Sequence, residues 1–183
     1  MSRFLAISAA LVVLTIGHVA QAGDNNGVYI QQVGDASSVS VTQTGSSNFV
    51  GGGSSAPVIQ SGKLNKLNVV QSGTGNTVKT LFQEGSNNSA NLRQTGSYNA
   101  LVAFQSGSSN SLTATQIGYA NTAAISQYGS NNTANYSATG DYNKAEINQN
   151  GSSNSAVVSQ TGRAQSIAVN QIGSNGKISI TQR

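Results

Sequence analysis

The sequence predicts an all-β fold, a two-sheet β-solenoid (β-helix) of about 14 strands in 7 coils. Three observations predict it. A unit QxGxxN recurs about every eleven residues, as at Gln94, Gln105, Gln116 and Gln127. Between units, apolar and polar residues alternate with period two, the pattern of a strand with one buried face. Each unit places Gly two residues after Gln and three before Asn, where a chain leaving one strand must reverse into the next.

The first element is outside the array. Residues 1–22 read as a secretory signal peptide, with Arg3 near the start, an apolar run from Phe4 to Ile16, and Ala20-Gln21-Ala22 as a small-residue cleavage site. The run is too short for a membrane span. Cleavage before Gly23 removes Met1, Arg3 and His18 and leaves a chain with no Cys, His, Met or Trp. Neither a disulfide nor a thiolate or imidazole for catalysis or soft-metal binding is then expected. Eight Lys and Arg, nine less Arg3, stand against five acidic residues, a net charge of +3 without any run of like charge. A nucleic-acid footprint would be denser and clustered.

The array fills residues 23–183. Clean copies are Gln43, Gly45 and Asn48; Gln60, Gly62 and Asn65; Gln71, Gly73 and Asn76; Gln83, Gly85 and Asn88; Gln94, Gly96 and Asn99; Gln105, Gly107 and Asn110; Gln116, Gly118 and Asn121; Gln127, Gly129 and Asn132; Gln149, Gly151 and Asn154. Degenerate copies complete it. Gln32 and Gly34 precede Ser37, Ala138 stands in the Gln position before Gly140 and Asn143, and Gln160–Gly162 and Gln171–Gly173 are followed by Gln165 and Gly176 where Asn is expected; Gln182 closes the series. Counted from the half motif Gly23 and Asn26, this makes fourteen segments. Eleven times fourteen is 154, against 161 residues (183 − 22); of the seven extra residues, six lie between Gln43 and Gln60 and one between Gln71 and Gln83. The six form an irregular insertion near 49–55, close to Pro57, the chain's one proline.

Period two sets the facing. With Asn88 inward, Ala90, Leu92 and Gln94 share its side while Ser89, Asn91 and Arg93 face out; Asn110, Leu112, Ala114 and Gln116 follow the same phase, as do Asn143, Ala145, Ile147 and Gln149. Charges fall outward at Lys66, Arg93, Lys144, Glu146 and Lys177. The interior is aliphatic at its centre and amide at its margins. Coils of about 22 residues would stack at roughly 4.8 Å, an amyloid-like spacing, so that identical amides in register hydrogen-bond along the axis; an isolated buried amide would cost a few kcal/mol. The predicted functional residues are therefore these Gln and Asn as an amide ladder and the glycines as its turns. No cap is visible in the last segment, through Ile178, Ile180 and Gln182 to Arg183, so both ends of the array are expected to accept another chain.

Other functions fit poorly. Asp141 is in a turn and Glu146 lies outward beside Lys144, which reads as solvated surface charge and not an acid-base pair. A polysaccharide-cleaving β-helix would gather acids, bases or metal-binding carboxylates on one face. An ice-binding face would need regular outward Thr, and calcium-binding nonapeptides have another period and more Asp. No enzymatic activity, cofactor, metal or small-molecule substrate is expected. Tyr98, Tyr119, Tyr128 and Tyr142 fall in turn positions, and Phe82, Phe104 and Val102 face outward as a small lateral patch.

At these QxGxxN copies the chain resembles the curlin family, the subunits of curli, functional amyloid fibres on the surface of Gram-negative bacteria. The resemblance covers residues 23–183. It implies secretion through a dedicated outer-membrane pore with accessory proteins, self-assembly outside the cell into a fimbrium, and roles in adhesion and biofilm matrix. Curlins comprise a major subunit that forms the fibre and a minor one that nucleates it. The ending Ile180-Thr181-Gln182-Arg183 and the eroded motif at Gln165 and Gly176, near Arg163 and Lys177, look like the minor subunit. Arg163, Lys177 and Arg183 are then candidate surface-attachment residues, and a major curlin subunit is the implied partner. The alternatives are the fibre-forming subunit itself and, from another class, a monomeric solenoid adhesin that binds glycans through its tyrosines.

Overall fold

The computed structural model describes residues 25–52 and 57–183. The signal-peptide reading of 1–22 falls outside these residues. Among them the chain is all strand, with no helix: β1 Gly27–Val28, β2 Ile30–Val33, β3 Ser38–Ser46, β4 Phe49–Val50, β5 Val58–Lys63, β6 Lys66–Thr74, β7 Thr77–Ser86, β8 Ser89–Ser97, β9 Ala100–Ser108, β10 Ser111–Tyr119, β11 Thr122–Ser130, β12 Thr133–Asp141, β13 Lys144–Ser152, β14 Ser155–Arg163, β15 Ser166–Ser174 and β16 Lys177–Gln182.

Every pairing is parallel. One sheet has seven strands in the order β16-β14-β12-β10-β8-β6-β3, and the other nine, along β1-β4-β7-β9-β11-β13-β15 with β2 and β5 beside them. Successive segments alternate between sheets, so the molecule is a two-sheet solenoid of seven coils. Sixteen strands occupy fourteen rungs because two rungs are split. β1 and β2 are separated by Tyr29, and β4 and β5 by the insertion.

The seven extra residues are placed where they spare the interior. Val28 pairs with Val50 and Ile30 with Val58, so the chain leaves the sheet after Val50 and returns at Val58 opposite a single residue, Tyr29. The Tyr29 carbonyl accepts from Val58 N at 2.8 Å, and Tyr29 N donates to Val50 O at 2.8 Å. Phe49 and Val50, expected in the irregular stretch, belong to a strand and Val50 is buried. The single extra residue is a β-bulge at Lys79, between Val78 and Thr80, whose side chain is exposed. A bulge absorbs one residue and restores the inward phase beyond it, at Leu81 and Gln83.

The core is a filled slot between the sheets. Ala90, Leu92, Leu112, Ala114, Ala123, Ile125, Ala145, Ile147, Ala156 and Val158 are buried, and Ser89, Asn91 and Arg93 face out. Lys66, Arg93, Lys144, Glu146 and Lys177 are exposed. In the seventh coil Val169 is buried while Ile167, Ile178 and Ile180 are only partly so, since among the described residues no further coil covers them.

Each corner uses two left-handed residues. The motif glycines adopt φ between 97° and 139°, with 107° at Gly96 and Gly173. The residue before each Asn is also left-handed, including Tyr98 at 58°, Ala120 at 53° and Tyr142 at 57°. The second position has no glycine signature because it points to solvent, and its occupants accept roughly 1–2 kcal/mol of strain. The first position has a further constraint. A Cβ on Gly96 would run into the carbonyl oxygen of Gly118 one coil on, whereas Gly173 has open space there. Gly173→Ala should therefore cost about 1–3 kcal/mol of backbone strain and Gly96→Ala upwards of about 4 kcal/mol. Guanidinium unfolding of the two variants checks this; equal losses would remove the inter-coil contact as the cause.

Candidate functional site

The amides occupy the margins of the slot as two kinds of ladder. In the seven-stranded sheet Gln43 Nε2 donates to Gln71 Oε1 at 2.8 Å, Gln71 to Gln94 at 2.8 Å, Gln94 to Gln116 at 2.9 Å, and Gln160 to Gln182 at 2.9 Å. In the nine-stranded sheet the run is Gln60, Gln83, Gln105, Gln127, Gln149 and Gln171, at 2.7–2.9 Å. Each interior Gln spends its other N–H on a carbonyl across the slot, as Gln105 on Ser89 O at 3.0 Å. The glutamines thereby bond along the stack and between the sheets at once.

The asparagines build the corners. Asn110 N donates to Asn88 Oδ1 at 3.1 Å, while Asn88 Nδ2 donates to Glu84 O at 2.9 Å and to Gly107 O at 3.0 Å. The pattern repeats at Asn48, Asn65, Asn76, Asn99, Asn121, Asn132, Asn143 and Asn154 through their bonds to the glycine carbonyl of the next coil. The polarities of the ladders are opposed. Glutamine donates towards the C-terminal coil, and the asparagine oxygen accepts from it.

Three exceptions define the working parts. At the first coil Gln32 turns its amide to Ser37 O, so the step to Gln60 is not made and both Oε1 atoms are buried without a partner. Ser37 substitutes its hydroxyl for the missing amide oxygen, accepting from Asn65 N at 3.2 Å. In the seventh coil Gln165 N and Gly176 N still donate to Asn143 and Asn154 Oδ1, at 3.1 and 2.9 Å. The step into that coil is intact; what is altered is the acceptor offered beyond it, because Gly176 has none and Gln165 Oε1 is buried unpaired. Arg163, Lys177 and Arg183 are exposed around this coil, and the Arg163 guanidinium lies 5.5 Å from the Tyr142 ring centroid.

The third exception is a gap that sequence reasoning left empty. Ala138 lies in register between Gln116 and Gln160. Tyr136, two residues earlier in an aliphatic position, is buried and its hydroxyl donates to Gln160 Oε1 at 3.1 Å. Burial pushes its phenol well above the ordinary range, and a hydrogen bond from Gln116 works in the opposite direction. The phenol thus takes the place of the missing rung towards Gln160, donating to its Oε1. A buried-facing Tyr paired with a missing Gln was the signal available.

The tyrosines do not form one row. Tyr98, Tyr119 and Tyr142 meet at the corner that leads from the seven-stranded to the nine-stranded sheet, and Tyr142 raises the Tyr119 phenol through charge and hydrogen bonding. Tyr128 lies in β11 near the opposite corner. Phe82 and Phe104 form a tilted pair on the outer face, with centroids 6.5 Å apart. Among the described residues there is no group of three His, Cys, Asp or Glu side chains placed to hold a metal ion.

Coils stacked in parallel register with amides bonded along the axis define a solenoid of the amyloid-like class. The curlin associated repeat matches residues 17–45, 62–96, 85–118, 107–135 and 140–173. The chain belongs to the curlin family, structural subunits of curli-type amyloid that assemble into fibres outside the cell. Neither a curated protein nor a solved structure matches it.

The Tyr136 substitution carries its own test. Tyr136→Phe should cost about 1–3 kcal/mol by leaving the buried Gln160 Oε1 without its donor. Combining Tyr136→Val with Ala138→Gln, which recreates the Val158 and Gln160 arrangement of the next rung, should restore wild-type stability in denaturant unfolding. A double variant no more stable than Tyr136→Phe would count against the bridging role.

Proposed function

We propose that this curlin chain is the minor, nucleating subunit, exported and held at the surface of a Gram-negative cell, where its stack templates a major curlin subunit into adhesive, biofilm-forming fibres. The amide ladders are the templating device and the turn glycines keep their rungs at hydrogen-bonding distance. The observation that carries the nucleator reading is the seventh coil. A rung added on it meets no amide oxygen at Gly176, a mispositioned one at Gln165, and the cations Arg163, Lys177 and Arg183. Like charge opposes stacking on an identical coil, so this face suits attachment to a different protein and leaves the first coil free to template.

Two measurements bear on it. Purified chain should form fibres with a meridional reflection near ~4.8 Å. Gln94→Lys should slow their growth far more than Thr113→Lys, because a charge between the sheets cannot reach water. A chain that stays monomeric, or equal effects at both positions, would remove assembly through the ladders. For the nucleator role, truncation after Gly162 in cells that also make a major subunit should release polymer into the medium and abolish cell-attached fibres. Unchanged attachment would assign the chain to the fibre-forming role.

A further inference from the structure

The tyrosine column at one corner is unused by the assembly reading. Tyr98, Tyr119 and Tyr142 come from three successive coils and are 57%, 41% and 49% exposed. The Tyr119 ring centroid is 5.6 Å from that of Tyr98 and 5.3 Å from that of Tyr142, both edge-on. Ala120 occupies the corner position equivalent to Tyr98 and Tyr142, and the ring of the preceding residue, Tyr119, reaches both neighbours. Gly75 continues the column below, since a Cβ there would strike the Tyr98 ring. Arg163 closes it above Tyr142.

These rings have no packing duty in the slot, yet they cannot drift apart. Backbone bonds tie their corners together, with Tyr98 N donating to Thr74 O, Ala120 N to Ser97 O and Tyr142 N to Tyr119 O, each at 2.9 Å. Phenols held side by side on rigid elements and open to solvent are disposed for coupling, because the entropy of bringing them together has already been paid in folding.

We propose that this column is an oxidative modification site, at which Tyr119 is joined through ortho carbons to Tyr98 or Tyr142, stapling adjacent coils covalently. The oxidant is hydrogen peroxide acting through a haem peroxidase. One electron and one proton leave each phenol, the two phenoxyl radicals form a carbon–carbon bond, and the ortho hydrogen of each ring moves to its oxygen to restore the phenol. Two phenols and one peroxide give one biphenol and two waters, so the O–O bond is reduced as the rings are oxidised. The staple tethers one coil to the next and makes the stack harder to unravel from its ends. The inference is independent of whether the chain nucleates or extends a fibre.

The test treats dilute purified chain with a haem peroxidase and hydrogen peroxide, then reads biphenol fluorescence and maps linked peptides by mass spectrometry. The expected product is an intrachain link from Tyr119 to Tyr98 or Tyr142. Tyr119→Phe should lower its yield about tenfold or more, Tyr142→Phe should redirect coupling to the Tyr98–Tyr119 pair, and Tyr128→Phe should leave the yield unchanged. Circular dichroism reports that each variant keeps its sheets. Undiminished yield in Tyr119→Phe, links made mainly through Tyr128, or the same yield from chain unfolded in denaturant would each overturn the proposal.

Discussion

A buried amide in this protein depends on the coil above and the coil below for most of its hydrogen bonds. Gln94 donates to Gln116 and accepts from Gln71, and Asn88 both accepts from Asn110 and donates to Gly107. Removed from the stack, each of these groups would carry the cost of an unpaired polar atom in a dry slot, a few kcal/mol apiece. Stability is therefore a property of neighbouring coils taken together, as in other quasi-one-dimensional folds. The aliphatic stripe of Ala, Leu, Ile and Val fills the centre of the slot but is too thin to hold a coil alone.

The same dependence explains why irregularity leaves the inward phase of the neighbouring residues untouched. The surplus of six residues between Val50 and Val58 and the bulge at Lys79 both leave the inward phase intact on either side, so Gln60 and Gln83 still meet at 2.8 Å. A one-residue slip without a bulge would turn every amide of that rung to solvent. Where an amide is absent from the interior, another polar atom takes its place, the Ser37 hydroxyl under Asn65 and the Tyr136 phenol between Gln116 and Gln160. Glycine recurs at the corner position that the next coil overhangs, as at Gly96 under Gly118.

Opposed ladder polarity gives the two faces of the stack different chemistry. The first coil presents Gln32 Oε1 as a buried acceptor without a donor, and the seventh presents the amide groups of Gln171 and Gln182 beside exposed cations. Among the described residues both faces are open sheet edges, and partly exposed Ile178 and Ile180 show how little a terminal rung is covered. Growth of a parallel amide stack is the natural way to satisfy such edges. The unlike faces are what make a nucleating role and a growing role separable.

The chain alone disclosed the eleven-residue period, the inward phase of residues such as Leu92 and Ile147, the positions of the interior amides and the number of surplus residues. Period two and the steric demand of a corner are local rules, visible in a dozen consecutive residues. Local pattern could not reveal that Tyr136 fills the gap left by Ala138, that a second left-handed residue such as Tyr98 turns each corner, or that Phe49 and Val50 return to the sheet before the excursion. Nor could it separate the corner of Tyr98, Tyr119 and Tyr142 from that of Tyr128. Each of these was settled by a neighbour in an adjacent coil, typically 22 residues away, because in a solenoid the atoms that complete a side chain's environment belong to the next turn of the stack and not to the strand that carries it.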